Sequence, residues 1–232
     1  MAEEAHKEFE QFLQTQMLES EGQGPTLTGC PPVRAPLVLD NLPVVSVDEM
    51  AESPESEFVL RQRVGIGGMG EIWKSDQVSL KRTIALKRLR PDKKITDERR
   101  QILIREALVM SKLEHPNIIP VHAIGVCDER SPVITMKYVD GVSWEDLLKD
   151  ARLIPPHFEG ETEHDVHLKI FIAVCDAIHF THCKKIIHRD LKPGNVMVGK
   201  FGEVYMVDWG LAVSLEDESD IPLAKDVKTL AG

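Results

Sequence analysis

The segment Gly65-Ile66-Gly67-Gly68-Met69-Gly70 narrows what this chain can fold into more than any other stretch. Glycines at this density let the backbone take positive φ and bring amide N–H groups close to a bound phosphate oxygen. The spacing G-x-G-x-x-G serves two quite different folds, and the residues that follow it separate them. In a dinucleotide-binding unit the third glycine opens a helix. Here Glu71-Ile72-Trp73-Lys74-Ser75 continues as a strand. The glycines therefore cap a hairpin, a lid over a nucleotide rather than a helix N-terminus.

Around that hairpin the chain reads as strands over 58–64, 71–77 and 83–89, a helix over 97–113 and strands over 119–126 and 133–138. Thr96 stands where it can cap the helix, with Ile102, Ala107 (or Leu108) and Val109 at helical spacing. Ser143 opens a short helix with Asp146 in capping-box position. A long helix follows over about 163–184, then short strands over 195–198 and 204–207. A strand-rich first half with one helix, leading into a helical second half, predicts an α+β fold of two lobes.

Charge separates the front of the chain from the rest. Residues 1–57 carry twelve acids against Lys7 and Arg34, the whole formal charge of −10, and residues 58–232 are balanced. Six prolines between positions 25 and 54 exclude a helix or central strand there. Residues 2–20 place Phe9, Phe12, Leu13 and Met17 at a weak helical spacing. Residues 1–57 thus read as an acidic, mostly disordered arm ahead of a domain over 58–232. Without a basic patch, nucleic acid is not expected as a partner. No apolar run approaches the roughly eighteen residues of a membrane span, and the N-terminus lacks a secretory pattern. Cys30, Cys127, Cys175 and Cys183 form no tight framework, so a reducing, cytoplasmic setting is expected.

Three further strings stand in a fixed order: Ala85-Leu86-Lys87 at the end of the third strand, His188-Arg189-Asp190-Leu191-Lys192-Pro193-Gly194-Asn195, and Asp208-Trp209-Gly210. Glu106 lies on the helix between the first two. Lys87 alone reads as a solvated lysine among Lys81, Arg82, Arg88 and Arg90. Taken with the glycine cluster, the ordered set resembles the protein kinases, specifically the Ser/Thr class. His115-Pro116-Asn117 matches that family's turn after the helix. The wording GGMGEIW and DWGLA is most similar to bacterial members of eukaryotic type.

The resemblance implies ATP and Mg²⁺ as cofactors, a protein substrate, and a role for each matched residue. Gly65, Gly67, Gly68 and Gly70 would cover the phosphates, Lys87 would hold them, and Glu106 would orient Lys87. Asp190 would accept the substrate hydroxyl proton, and Lys192 would neutralise the transferring group. Asn195 and Asp208 would bind Mg²⁺ through hard oxygens. Met136 would be the gatekeeper, backbone groups of Lys137 and Val139 would read the base, and Val64, Ile72, Ala85 and Met197 would sandwich it. Trp209, where the family usually has phenylalanine, and Lys137, where it often has an acid, are departures expected to matter little. Histidines at 164, 167, 179, 182 and 188 lack the H-E-x-x-H spacing, and no metal other than Mg²⁺ is expected.

The resemblance runs from residue 58, with the small lobe over 58–139 and the large lobe from 140, and breaks off at 229–232 within the activation segment. In 166–180 eleven of fifteen residues are apolar. A helix apolar nearly all round expects burial on every side, and so a further large-lobe segment or a partner to cover it. Two readings remain open here: a Ser/Thr protein kinase, incomplete or inactive in this form, and a pseudokinase-like module that binds ATP without transferring phosphate. A small-molecule kinase of similar architecture fits H-R-D-x-K-x-x-N less well. Ser214, Ser219 and Thr229 are candidate phosphosites.

Overall fold

The computed structural model describes residues 39, 42–48, 56–67, 70–127 and 131–215. Gly68, Ser219, Thr229, the expected helix over 2–20 and most of the expected arm lie outside them. The glycine hairpin joins β2 (Phe58–Ile66) to β3 (Gly70–Gln77), and β4 (Arg82–Leu89) follows antiparallel. After α1 (Asp97–Ser111), β5 (Val121–Cys127) and β6 (Ser131–Lys137) complete the sheet. With β1 (Val47–Asp48) at its edge, the strand order is β1-β2-β3-β4-β6-β5.

The strand β1 draws part of the expected arm into the sheet. Residues 43–48 bridge the two ends of the sheet. Val45 N–H donates to the Val126 carbonyl and Val126 N–H to the Pro43 carbonyl, both at 2.9 Å. Val47 and Asp48 then pair in parallel with Phe58 and Val59. Proline is no obstacle, because only the Pro43 carbonyl is called upon and an edge position asks nothing of its missing N–H. Val45 and Val47 pack on Phe58, Leu60, Ile84, Leu86 and Val133, an apolar cluster on the outer face of the sheet. Ile84 and Leu86 are fully buried there, each worth about 1.5–3 kcal/mol. Charge and proline content hid this strap, since its apolar residues are few and interrupted.

Helix α1 packs across the inner face of the sheet. Thr96 accepts from Arg99 N–H at its start, and Lys112 N–H closes its last turn on Val109 and Met110 carbonyls. Its buried side carries Leu103, Glu106, Ala107 and Met110, so one charged side chain enters an otherwise apolar face. Beyond it, the turn His115-Pro116-Asn117 ties the two halves together. Met206 N–H donates to the Asn117 carbonyl at 2.8 Å, Ile119 N–H to the Met206 carbonyl at 3.1 Å, and the Asn117 amide to the Val204 carbonyl at 3.0 Å.

In the second half, β7 (Gly141–Ser143), β9 (Val196–Gly199) and β10 (Val204–Met206) form a small sheet of order β10-β9-β7. Ser143 caps the short α2 (Trp144–Lys149) through Asp146 N–H at 3.1 Å. The long α3 (Glu163–Cys183), capped by Thr162, buries Val166, Ile170, Val174, Ala177 and Thr181. Two-residue strands β8 (Ile186–Ile187) and β11 (Val213–Ser214) pair beyond it. One apolar core runs from Ala85 and Leu103 through Ile118 and Leu147 to Ile170 and Met206, so the halves share it.

The expectation that no apolar run nears the length of a membrane span needs correction at α3. It is long and apolar enough to cross a membrane by length and composition. A core helix meets the same test, and α3 buries a full stripe of side chains. Its other side leaves Leu168, Phe171 and Ile172 about half exposed, as the all-round apolar pattern foretells.

Candidate active site

Strand β4, helix α1 and the loop after β10 bring three charged groups together. Lys87 Nζ lies 2.5 Å from Glu106 Oε1 and 3.2 Å from Asp208 Oδ1. Glu106 is 4% exposed, so its carboxylate is tolerable only because it is paired. Burial works against the Lys87 ammonium, but Glu106 and Asp208 outweigh it and hold its pKa above the ordinary lysine value. For Glu106 burial is the largest influence and raises the carboxyl, helped by repulsion from Asp208 and opposed by Lys87. We take the pair as ionised, because a neutral Glu106 would leave the ammonium with the half-exposed Asp208 alone.

The hairpin closes over this group. Gly67 N–H donates to the Gly70 carbonyl at 2.8 Å. A side chain on Gly70 would place its Cβ 2.9 Å from the Arg88 carbonyl, so the third glycine is demanded by close approach to β4. Gly65, Ile66, Gly67, Gly70 and Ile72 line one side of a cavity of about 280 Å³, and Lys87, Glu106 and Asp208 line the other. The Lys87 ammonium thus lines a space suited to phosphate groups.

Across the cleft, Asp190 is held from several directions. Its Oδ2 accepts from Lys192 Nζ at 2.7 Å and from the Asn195 amide at 2.9 Å, and that amide also donates to the Asp190 carbonyl at 2.8 Å. Lys192 holds the Asp190 carboxyl below the usual carboxylate range; partial burial opposes this and Asn195 adds to it. The Asp190 N–H donates to His188 Nδ1 at 3.2 Å, which leaves the ring proton on Nε2, facing the Val207 carbonyl at 3.4 Å. Burial keeps His188 neutral by lowering its pKa, in agreement with that tautomer. His188 is therefore a fixed strut beneath the loop carrying Asp190, its ring tilted 60° to that of Trp209 with the centroids 4.4 Å apart.

Val207 N–H donates to the Asn195 carbonyl at 2.9 Å. That bond sets Asn195 beside the segment carrying Asp208, so residues with an amide oxygen and a carboxylate, both hard donors, stand on adjoining segments. This donor set fits Mg²⁺. Arg189 and Asp208 hold φ of 68° and 62°, a left-handed conformation costing about 1–3 kcal/mol at non-glycine positions.

The residues expected around the base are placed unevenly. Ala85 and Met136 are cross-strand partners, nearly buried, in the shared core. Ile72 pairs with Lys87 and Gly65. Val64 sits in a bulge of β2, half exposed, and Met197 is partly buried on β9. Lys137 N–H is taken by the Pro120 carbonyl at 3.0 Å, so a base could read only its carbonyl, together with Val139 N–H. The Lys137 side chain turns away to the Tyr205 hydroxyl and stands over that ring. Trp209 is 1% exposed and its indole N–H finds no partner among the described residues, a cost phenylalanine would not carry. Of the candidate phosphosites, Ser214 is 2% exposed, because β11 pairs it with Ile186. Sequence reasoning gave His188 no task beyond the motif and missed Tyr205 altogether; neither role follows from local spacing.

A glycine hairpin over an ion-paired lysine, facing a carboxylate loop across a two-lobed cleft, is the arrangement of the kinase fold. Residues 58–231 match the family described as protein kinase domain, and the chain belongs to that family. It is 36% identical over 171 residues to the serine/threonine-protein kinase PknD of Chlamydia muridarum, which covers 70% of this chain and 18% of the relative. PknD of Chlamydia trachomatis serovar D is 37% identical over 159 residues, covering 67% and 17%. PknD of Chlamydia caviae is 36% identical over 169 residues, covering 71% and 18%. The chain thus spans less than a fifth of the length of these curated relatives.

Proposed function

We propose that this chain carries the nucleotide-binding and catalytic-loop portion of a Ser/Thr protein kinase, which transfers the γ-phosphoryl group of ATP to a protein hydroxyl. The observation that carries the reading is the joint presence of the Lys87–Glu106–Asp208 group and the Asp190–Lys192–Asn195 group, linked by the bond from Val207 N–H, next to Asp208, to the Asn195 carbonyl. The glycine hairpin and Lys87 bind the phosphates. Asp190, ionised at neutral pH, accepts the hydroxyl proton at its carboxylate as attack begins. Lys192 shields the charge developing on the transferring group. Asn195 and Asp208 would hold Mg²⁺, which would offset the charge of the phosphates. Positioning and charge stabilisation supply most of the rate. The base would rest between Val64, Ile72, Ala85 and Met197, with Met136 behind it. A cytoplasmic setting agrees with ATP as the donor and with Cys175 and Cys183 being free thiols.

The test pairs binding with transfer. Asp190→Asn should abolish phosphorylation of a generic protein acceptor such as casein while leaving Mg·ATP affinity within about twofold. Retained transfer in that variant would remove Asp190 from its role. Mg·ATP binding by the wild type with no transfer to any acceptor would favour the pseudokinase reading.

A further inference from the structure

Among the described residues only two carboxylates are buried, Glu106 at 4% exposure and Glu71 at 3%. The first has its task at Lys87. The second follows the last glycine of the hairpin, on the face turned away from the cleft. Ile72 lines the cavity, and side chains alternate along a strand, so Glu71 and Trp73 point to the outer face. On β4 the same alternation sends Lys87 inward and Arg88 outward.

We propose that Glu71 is a positioning residue for the nucleotide: with Arg63 and Arg88 it forms a clasp on the outer face of the sheet that holds the glycine hairpin down over the phosphate site. This rests on the nucleotide-site reading above. Glu71 Oε1 accepts from Arg88 Nε at 2.7 Å, and Oε2 lies 3.5 Å from the Arg63 guanidinium. One carboxylate therefore joins β2, β3 and β4 at the root of the hairpin. A buried carboxylate is costly unless paired, and an apolar side chain would fill the position without that cost. The charge has value only if it fixes geometry. Arg88 supports the hairpin twice, since its carbonyl also lies where a Cβ on Gly70 would fall, and its guanidinium stands over the Trp73 ring at 5.5 Å. Arg90, anchored on Asp92, reaches the Gly67 carbonyl at 3.5 Å as a weaker second tie.

A hairpin released from this clasp can lift, and only ligand groups beneath it lose contacts. In the reading above phosphates lie beneath it, whereas the base keeps Ala85, Met136 and Met197 even where Val64 and Ile72 shift with the hairpin. The clasp therefore acts more on phosphate binding than on base binding.

The experiment compares the affinities of Mg·ATP and adenosine for the full 232-residue chain by titration calorimetry, in the wild type, Glu71→Gln and Arg63→Ala. Glu71→Gln should weaken Mg·ATP about tenfold, the effect of one charge-assisted contact, and Arg63→Ala about threefold, with adenosine within twofold in both. Arg63 is about half exposed and Glu71 keeps Arg88, so its truncation leaves no unpaired buried charge and keeps the test open even if Glu71→Gln fails to fold. Equal losses for both ligands would mean a general structural role and overturn the proposal, as would unchanged Mg·ATP affinity. A wild type that binds neither ligand would overturn the nucleotide-site reading itself, and the clasp with it.

Discussion

Gly125→Ala should change sign with the presence of the strap. Gly125 lies in β5, at a backbone conformation open to any residue. A Cβ there would stand 2.9 Å from the Pro43 carbonyl oxygen, and 2.9 and 3.1 Å from the two methyls of Val45. The carbonyl cannot step aside without stretching the bond it accepts from Val126 N–H. The strap must lift or the strand must bend, an overpacking cost of about 1–3 kcal/mol. Lifting would forfeit two backbone hydrogen bonds, roughly 1 kcal/mol each net, and the packing of Val45 and Val47, offset in part by chain entropy regained. In a chain beginning at residue 49 the obstacle is gone. Alanine then only restricts the unfolded chain and should stabilise by about 0.4–1 kcal/mol. Chemical denaturation of the four proteins completes a double-mutant cycle; the unfolded-chain effect is common to both backgrounds, so a coupling of about 1–3 kcal/mol is expected from the overpacking alone. Equal effects of the alanine in both backgrounds would show that residues 43–48 do not rest on Gly125, and the enlarged sheet would be wrong.

Two further outcomes follow from the charged cleft. Glu106→Gln leaves the Lys87 ammonium, 13% exposed, with Asp208 as its remaining partner; removing one side of a buried pair costs about 3–5 kcal/mol, moderated here by Asp208, and the variant should melt below wild type and bind Mg·ATP more weakly. Unchanged stability would mean the pair is not buried as described. The Asp190 carboxyl, held low first by Lys192, contributes stability that is fully present above its unfolded pKa of about 3.9 and lost as pH falls through the lower folded value. The stability gap between wild type and Asp190→Asn, followed by denaturation against pH, should hold constant from neutrality to about pH 5 and close below about pH 4. A gap that closes above pH 6 would contradict the Lys192 contact.

The chemistry was legible wherever it is encoded by spacing. The hairpin over 65–70, Lys87, Glu106, the loop 188–195 and Asp208 could be read in order, because each position is tied to its neighbours by a turn, a strand or one helical face. Caps at Thr96, Ser143 and Thr162 obey equally local rules, and the elements they open begin where the sequence places them. What sequence reading lost were contacts between segments distant in the chain. Proline content and acidity marked 43–48 as arm, yet two valines and three backbone bonds seat it on strands some ten and eighty residues away. Asn117 looked like a family turn and proved to be the seam between the halves. Which backbone group of Lys137 stays open to a base was equally out of reach: its N–H is taken by Pro120, and the carbonyl remains. The sequence by itself determined which groups are available for phosphate, metal and proton. The tertiary structure alone decided how they are held: His188 neutral beneath Asp190, Glu71 between two arginines, Ser214 sealed in a strand pair. Local pattern specifies torsions and faces, whereas burial and pairing depend on which remote surface arrives, and no short window of sequence contains that surface.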